Sequence, residues 1–501
     1  MKPKTDLHEL IRSMSMSEKR YFHIHASRHT VGEVNNYQRL FDRIADQDEY
    51  DEADVKKHFV GETFIKHLPS EKNYLYYQIL DSLNSFHREK TFLSRHSAKL
   101  ATIEMLFQRG LFSQCKTLIK RQKKEAYLLE KFSVLLLLLR WETLVFIKDE
   151  DDRNLNKSIW EELRVLEVMR VQTVLTQIAF NIQIQIDKGH ATAEFIRESE
   201  KELKKNLPAN LQVSSFWTKY YYHSSIGLLS SLKKDQKKRL QCFVEIKSIM
   251  DNAPQFIRDL PGIYHTNFNN MVNVMLLLEK YSEAEKIIVL QKNFITHYHI
   301  RNLALSKIIL VNTLESEFFL LYKTRRWGDA VALLKRCEPE LKKLDQRFSP
   351  LLYDLYFMMA VVEFRIRNYK SAGKWLNRIL NMEHEVHLRK ELSINARLLY
   401  LLIMFESHDV LFDARLRAAK RYVQQERQFP THAKICEVIR LLADGSTGGK
   451  RETLLKKYVS EIRAEMRSAT EESLNKQFDF AEWIDEKIRS VPNENRKKTW
   501  K

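Results

Sequence analysis

The sequence predicts an all-α protein, a small N-terminal helical bundle followed by a long array of antiparallel helical hairpins. Three observations carry this expectation. Glycine (11) and proline (9) are scarce among 501 residues, so the chain seldom needs a left-handed or a fixed φ. Apolar residues recur with a helical period, as in "FNNMVNVMLLL" (268–278) and "LYFMMAVVEF" (355–364). A short figure then follows such stretches again and again: an aromatic, two polar residues and a small residue.

Residues 1–95 read as the bundle. "SMSEKRYFHIHAS", "NNYQRLFDRIADQ", "DEADVKKHF" and "PSEKNYLYYQILDSLNSFH" succeed one another as short helices with short connections. The last opens on Pro69 and Ser70 and carries Leu75, Ile79, Leu83 and Phe86 as its apolar stripe. A helix-turn-helix alternative would make 70–87 a recognition helix reading through Lys72, Asn73, Tyr74, Tyr77 and Gln78. The segment balances 15 basic against 15 acidic residues, and a nucleic-acid module needs a basic face. Packing of these tyrosines is therefore the expectation. The segment also resembles the start of a family of bacterial helical-repeat proteins.

Residues 96–443 read as the array. Tyr281-x-x-Ala284, Trp327-x-x-Ala330, Tyr369-x-x-Ala372 and Leu411-x-x-Ala414 align, with Phe112-x-x-Cys115 near the front. Four residues after each small residue stands another apolar one: Ile288, Leu334, Leu376, Ala418 and Ile119. The aromatic closes the turn of a hairpin, and the small residue lets the second helix approach the first. This figure resembles the tetratricopeptide repeat (TPR), most clearly over 264–428. The copy at 232–243 departs from it, with Gln236 and Arg239 in place of the aromatic and the alanine. Only Gly110 supplies the family's turn glycine; Glu279, Arg325 and Arg367 stand there in the better copies. The anchors Ala284, Ala330, Ala372 and Ala414 are 46, 42 and 42 residues apart. A TPR repeats at about 34 residues, so each helix is lengthened by roughly a turn. The resemblance implies a TPR-like α-solenoid.

Proline falls where helices should end or begin: Pro208, Pro254, Pro261, Pro339, Pro350 and Pro430. The linker "ADGSTGGK" (443–450) separates the array from 450–501. Beyond it, Leu455/Val459/Ile462/Met466 and Phe480/Trp483/Ile484/Ile488 mark two amphipathic helices expected to cap the last repeat, followed by a basic tail.

No catalytic chemistry is legible. Cys115, Cys242, Cys337 and Cys436 lie far apart, without zinc or redox spacing, and read as buried thiols of a reducing compartment. The pairs His23/His25, His297/His299 and His384/His387 lack a third ligand. "GSTGGKRET" fails as a phosphate loop, since Asp444 and Arg451 occupy positions that need glycine and a hydroxyl. No cofactor or metal is expected, and no enzyme activity. The N-terminus has no secretory apolar region, and "VLLLLL" (134–139) stops at Arg140, short of a membrane span. A cytoplasmic protein is the expectation.

Net charge is +18, concentrated late in the chain: residues 301–400 carry 18 basic against 11 acidic residues. Such a surface suits an acidic partner, nucleic acid or anionic lipid alike. One polar cluster stands out, "NFNNMVN" (267–273), because asparagine is a mediocre helix former. In TPR proteins the first helices line a concave groove, where asparagines bind the backbone of an extended peptide. The resemblance places Asn269 and Asn273 on that groove, with Tyr221 and Ser224 in the preceding unit and Asn312 and Glu315 in the next. The function expected is a non-catalytic scaffold that binds a protein or peptide segment. The alternative is a regulator with a nucleic-acid-binding N-terminal bundle and a ligand-sensing array.

Overall fold

The computed structural model describes residues 6–27, 36–87, 92–188, 191–208, 210–211, 214–300, 302–341, 349–382, 390–425, 430–444, 449–465 and 478–490. Among these residues every regular element is a helix and none is a strand. The contacts divide the chain into two units, Met1–Glu167 and Val168–Lys501.

The first unit opens with α1 (Asp6–Ser13), α2 (Met16–Ser27), α3 (Asn36–Ala45), α4 (Glu52–His58), a 3-10 turn (Thr63–His67) and α5 (Leu68–His87). They share one core, in which Ile11, Phe22, Phe41, Ile44, Phe59, Leu68, Leu75 and Ile79 are buried. Asp51 fixes the start of α4, its carboxylate accepting from the amides of Ala53 and Asp54. Along α5 the expected stripe faces this core, with Leu83 and Phe86 half-buried at its end. Next come α6 (Phe92–Gln108), α7 (Phe112–Leu128) and α8 (Phe132–Lys148), each packed on the other two. α9 (Asp152–Lys188) runs 37 residues, about 55 Å, and the division between units falls within it.

The second unit continues with α10 (Ala193–Lys205), α11 (Phe216–Leu232), α12 (Gln236–Asp251), α13 (Pro254–Asp259), α14 (Pro261–Leu277), α15 (Tyr281–His297) and α16 (Leu303–Lys323). Then follow α17 (Trp327–Leu341), α18 (Ser349–Arg365), α19 (Tyr369–Met382), α20 (Lys390–Glu406), α21 (Phe412–Gln425), α22 (Pro430–Ala443), α23 (Gly449–Glu465) and α24 (Phe480–Ser490). Each of α14, α16, α18 and α20 packs against its chain neighbours and against the next even-numbered helix. Two layers of neighbours leave little surface. From Leu352 to Phe364 only Asp354 escapes full burial, which is why this stretch is apolar on nearly every side, Glu363 being its one buried carboxylate.

One turn recurs. Gly110, Glu130, Glu150, Lys234, Glu279, His299, Arg325, Arg367 and His408 all have positive φ at the end of a helix. The amide of the next residue reaches back five positions: Lys280 to the Met275 carbonyl at 2.8 Å, Arg326 to Leu321 at 2.9 Å, Asn368 to Glu363 at 2.8 Å. This is a Schellman cap, and it wants glycine at the left-handed position. Here only Gly110 obliges. The same turn joins α11 to α12 through Lys234, although the sequence figure there is degraded.

The fourth copy of the figure needs correction. Leu411 aligns with half-buried aromatics and Ala414 with buried alanines, yet both are exposed, as is Ala418. α21 begins instead at Phe412, and Phe412, Leu416, Ala419 and Val423 are buried. The cause is a longer turn. Tyr369 stands two residues after the left-handed Arg367, whereas Phe412 stands four after His408. Asp409 braces the two extra residues by accepting the Leu411 amide at 2.8 Å.

At the C-terminus α23 packs on α22 through Leu455, Val459 and Ile462. Met466 and His384/His387 lie outside the described residues. α24 packs on α23, and its side chains also reach the ends of α16, α18 and α20. Phe478, Phe480, Trp483 and Ile484 are buried there.

Candidate interaction site

The asparagine cluster of α14 serves two ends. Asn267 is buried, and its amide donates to the Phe243 carbonyl at 3.0 Å, fastening α14 to α12. His265, also buried, lies 3.3 Å from the Thr313 hydroxyl of α16. That hydroxyl donates to the Ile309 carbonyl at 2.7 Å, so it accepts from His265, whose Nε2 carries the proton. Burial pushes the imidazole down to about 4, and the ring is neutral at physiological pH. Asn267 and His265 are thus cross-braces; tying of neighbouring hairpins is a role the sequence allows for the asparagines, while nothing in it singles out His265. For Asn267, its spacing from the buried Met271 was the signal available.

The remaining face of α14 is a polar stripe: Thr266 is exposed, and Asn269, Asn270 and Asn273 are half-buried. Of the two predicted residues, Asn269 has its carbonyl engaged, accepting from the buried Gln291 side chain of α15. Asn273, one turn on, lies on the same face. The neighbouring α16 presents Asn312 and Glu315, both half-buried. Tyr221 and Ser224 sit in different surroundings. Tyr221 packs with the apolar cluster of Val171, Leu175, Ile178, Ile182, Leu203 and Leu229, its ring 5.9 Å from Trp217. Ser224 hydrogen-bonds the Tyr220 hydroxyl.

A second constellation escaped the sequence reading. Arg365, at the end of α18, lies 3.1 Å from Glu482 and 3.0 Å from Glu486 of α24, over the Phe478 ring. Arg325, at the end of α16, also pairs with Glu482. The Trp483 indole donates to Glu406 of α20 at 2.9 Å, and Lys487 binds the same carboxylate. Tyr322 accepts the Asp479 amide at 3.2 Å. A single short helix is therefore clamped across three helix ends by buried rings and opposite charges. A cleft of about 940 Å³ beside it is walled by Lys323, Arg325, Arg365 and Arg463 against Glu482 and Asp485. No spacing rule ties residues more than 100 positions apart, which is why this site was illegible.

The candidate recognition face of α5 is altered by its own core. Lys72 is buried rather than outward, 2.6 Å from Glu52 and 3.0 Å from the Tyr50 hydroxyl. Its hydrogen bond holds the Glu52 carboxyl down to about 2. The Tyr74 ring packs at a tilt on Tyr37, 4.5 Å between centroids, and Tyr77 is exposed. The face left outward carries no lysine or arginine from the predicted set.

The four cysteines are free and buried, and burial pushes Cys436 up to about 12 and Cys242 and Cys337 to about 11. Thiols so protonated are poor nucleophiles. Among the described residues, no three His, Cys, Asp or Glu side chains come together as a metal site, and no helix is long and apolar enough to cross a membrane. The polar stripe of α14, with Asn312 and Glu315 of the adjacent α16, stays half-buried rather than enclosed in the core. No protein-family model, no curated protein and no solved structure matches this chain.

Proposed function

We propose that this chain is a non-catalytic interaction scaffold of the cytoplasm, a TPR-like α-solenoid in which α14 and α16 line a groove for an extended protein segment. The observation that supports this is the pair of half-buried polar stripes on adjacent helices, Asn269, Asn270 and Asn273 on α14 beside Asn312 and Glu315 on α16. Side-chain amides both donate and accept, so they match a peptide unit of any sequence. Since the Asn269 carbonyl is engaged by Gln291, Asn273 and Asn312 carry most of the proposed contact.

The test compares two sets of variants. Asn273→Ala with Asn312→Ala removes groove amides while improving helix propensity. Its melting temperature should hold or rise, and proteins captured from the native cell extract by the wild type should be lost. Asn267→Ala removes a cross-brace instead, losing the buried bond to the Phe243 carbonyl at a cost of about 0.5–1.5 kcal/mol. Its melting temperature should fall. A stable Asn273/Asn312 double variant that captures the same proteins as the wild type refutes the groove.

A further inference from the structure

Two turns of the second unit expose aliphatic side chains beside cations that have no acidic partner among the described residues. In the turn from α18 to α19, Ile366 is 39% exposed; in the turn from α20 to α21, Val410 is 95% and Leu411 57% exposed. The two turns share one end of the unit. Arg365 holds Glu482 and Glu486 of α24, while Glu406 holds Trp483 and Lys487 of the same helix. Those four residues span about 8 Å of helix rise, which brings the ends of α18 and α20 together.

The cations at this end differ from their neighbours. Arg325 pairs with Glu482, and Arg326 with Glu285 and Asp329. Arg367, Lys370 and Arg415 are exposed, and among the described residues none has a carboxylate within ion-pair distance. Across α19, α21 and the turn before α21 the acidic side chains are Asp409 and Asp413, against seven lysines and arginines, of which Lys420 pairs with Glu437. Val410 and Leu411, moreover, occupy the lengthened part of a turn that is shorter at Arg367. The extra length thrusts apolar groups outward.

We propose that this end of the unit docks on an anionic lipid surface. Ile366, Val410 and Leu411 enter the boundary between headgroups and acyl chains, while Arg367, Lys370 and Arg415 meet the lipid phosphates. The chemistry separates lipid from nucleic acid. Single-stranded nucleic acid rewards aromatic platforms, and the tips of these turns are aliphatic. Aliphatic tips with cations in excess over Asp409 and Asp413 match the layered polarity of a bilayer interface. Such a contact is reversible, and each cation removed should weaken it about five-fold at low salt.

The full chain is tested by co-sedimentation with phosphatidylcholine vesicles containing about one-third phosphatidylglycerol, a strongly anionic surface. Pure phosphatidylcholine vesicles serve as the neutral control. The wild type should sediment with the anionic vesicles only, and less at high salt. V410D/L411D and the triple variant R367E/K370E/R415E should each lose the interaction at unchanged melting temperature, because all five side chains are exposed. Absence of wild-type binding, equal binding to neutral vesicles, or full binding by V410D/L411D overturns the proposal. So does binding to single-stranded RNA that V410D/L411D leaves intact while the anionic vesicles stay unbound.

Discussion

Replacing Glu279 by glycine will stabilise the second unit, although glycine in a helical protein ordinarily does the reverse. Glu279 has φ +57, and its side chain is exposed. Holding a residue with a Cβ in the left-handed region costs about 1–2 kcal/mol. Glycine escapes that cost but surrenders more chain entropy on folding, about 0.5–1 kcal/mol. The difference favours the variant by roughly 0.5–1 kcal/mol, or about 1–2 °C in melting temperature for a unit of this size. Lys286, seven residues along and inside α15, is the control. It too is exposed, and glycine there should cost about 1 kcal/mol. Arg367→Gly should match Glu279→Gly, and the pair should be close to additive, since the two turns are separate. Arg325→Gly should gain less, because it also removes the ion pair to Glu482. Urea denaturation followed by circular dichroism gives the free energies. If Glu279→Gly destabilises as much as Lys286→Gly, the left-handed turns cannot be the source of strain assigned to them.

Two further outcomes follow from the geometry. His265 is held near 4 when folded but titrates near 6.5 when unfolded, so the unfolded chain binds the extra proton between those values. Its contribution, of order 3 kcal/mol, is complete above pH 6.5 and disappears as pH falls toward 4; His265→Gln should flatten that part of the urea-midpoint profile. Trp483→Ala removes a ring that is 2% exposed and its bond to Glu406, which should cost about 3–5 kcal/mol and expose α24 to proteolysis under conditions where the wild type resists.

Helical character was legible because it is written locally: few glycines and prolines, and apolar residues at helical spacing. The turns after α14, α16 and α18 were legible for the same reason, since Tyr281, Trp327 and Tyr369 each open the next helix. The figure failed at α21, where a two-residue lengthening moved the burial pattern onto Phe412 and Leu416. Alignment by a small residue could not see it, because Ala414 sits in an ordinary helical context. Asn269 illustrates a different limit. Its position on α14 was readable, but its bond to Gln291 depends on how α15 returns across the pair. Lys72 is another case: it falls on the face of Leu75 and Ile79, but its charge is accommodated there only because Glu52 and Tyr50 surround it.

The clamp on α24 has a consequence for how the chain is made. Most helix contacts in the unit join near neighbours in sequence, whereas the Arg325–Glu482 pair bridges 157 positions and Arg365–Glu486 bridges 121. Contacts of low sequence separation form quickly, and distant ones wait for loop closure. On a ribosome adding about 5–20 residues per second, α16 to α20 emerge and pair well before α24 exists. Through that interval Phe364 and Phe405 lack the Phe478 and Trp483 rings that later cover them. The nascent unit therefore carries a transient sticky edge that α24 seals. Pulse-labelled hydrogen exchange during refolding should find the α24 amides protected last, and a chain truncated before Phe478 should aggregate through that uncovered edge.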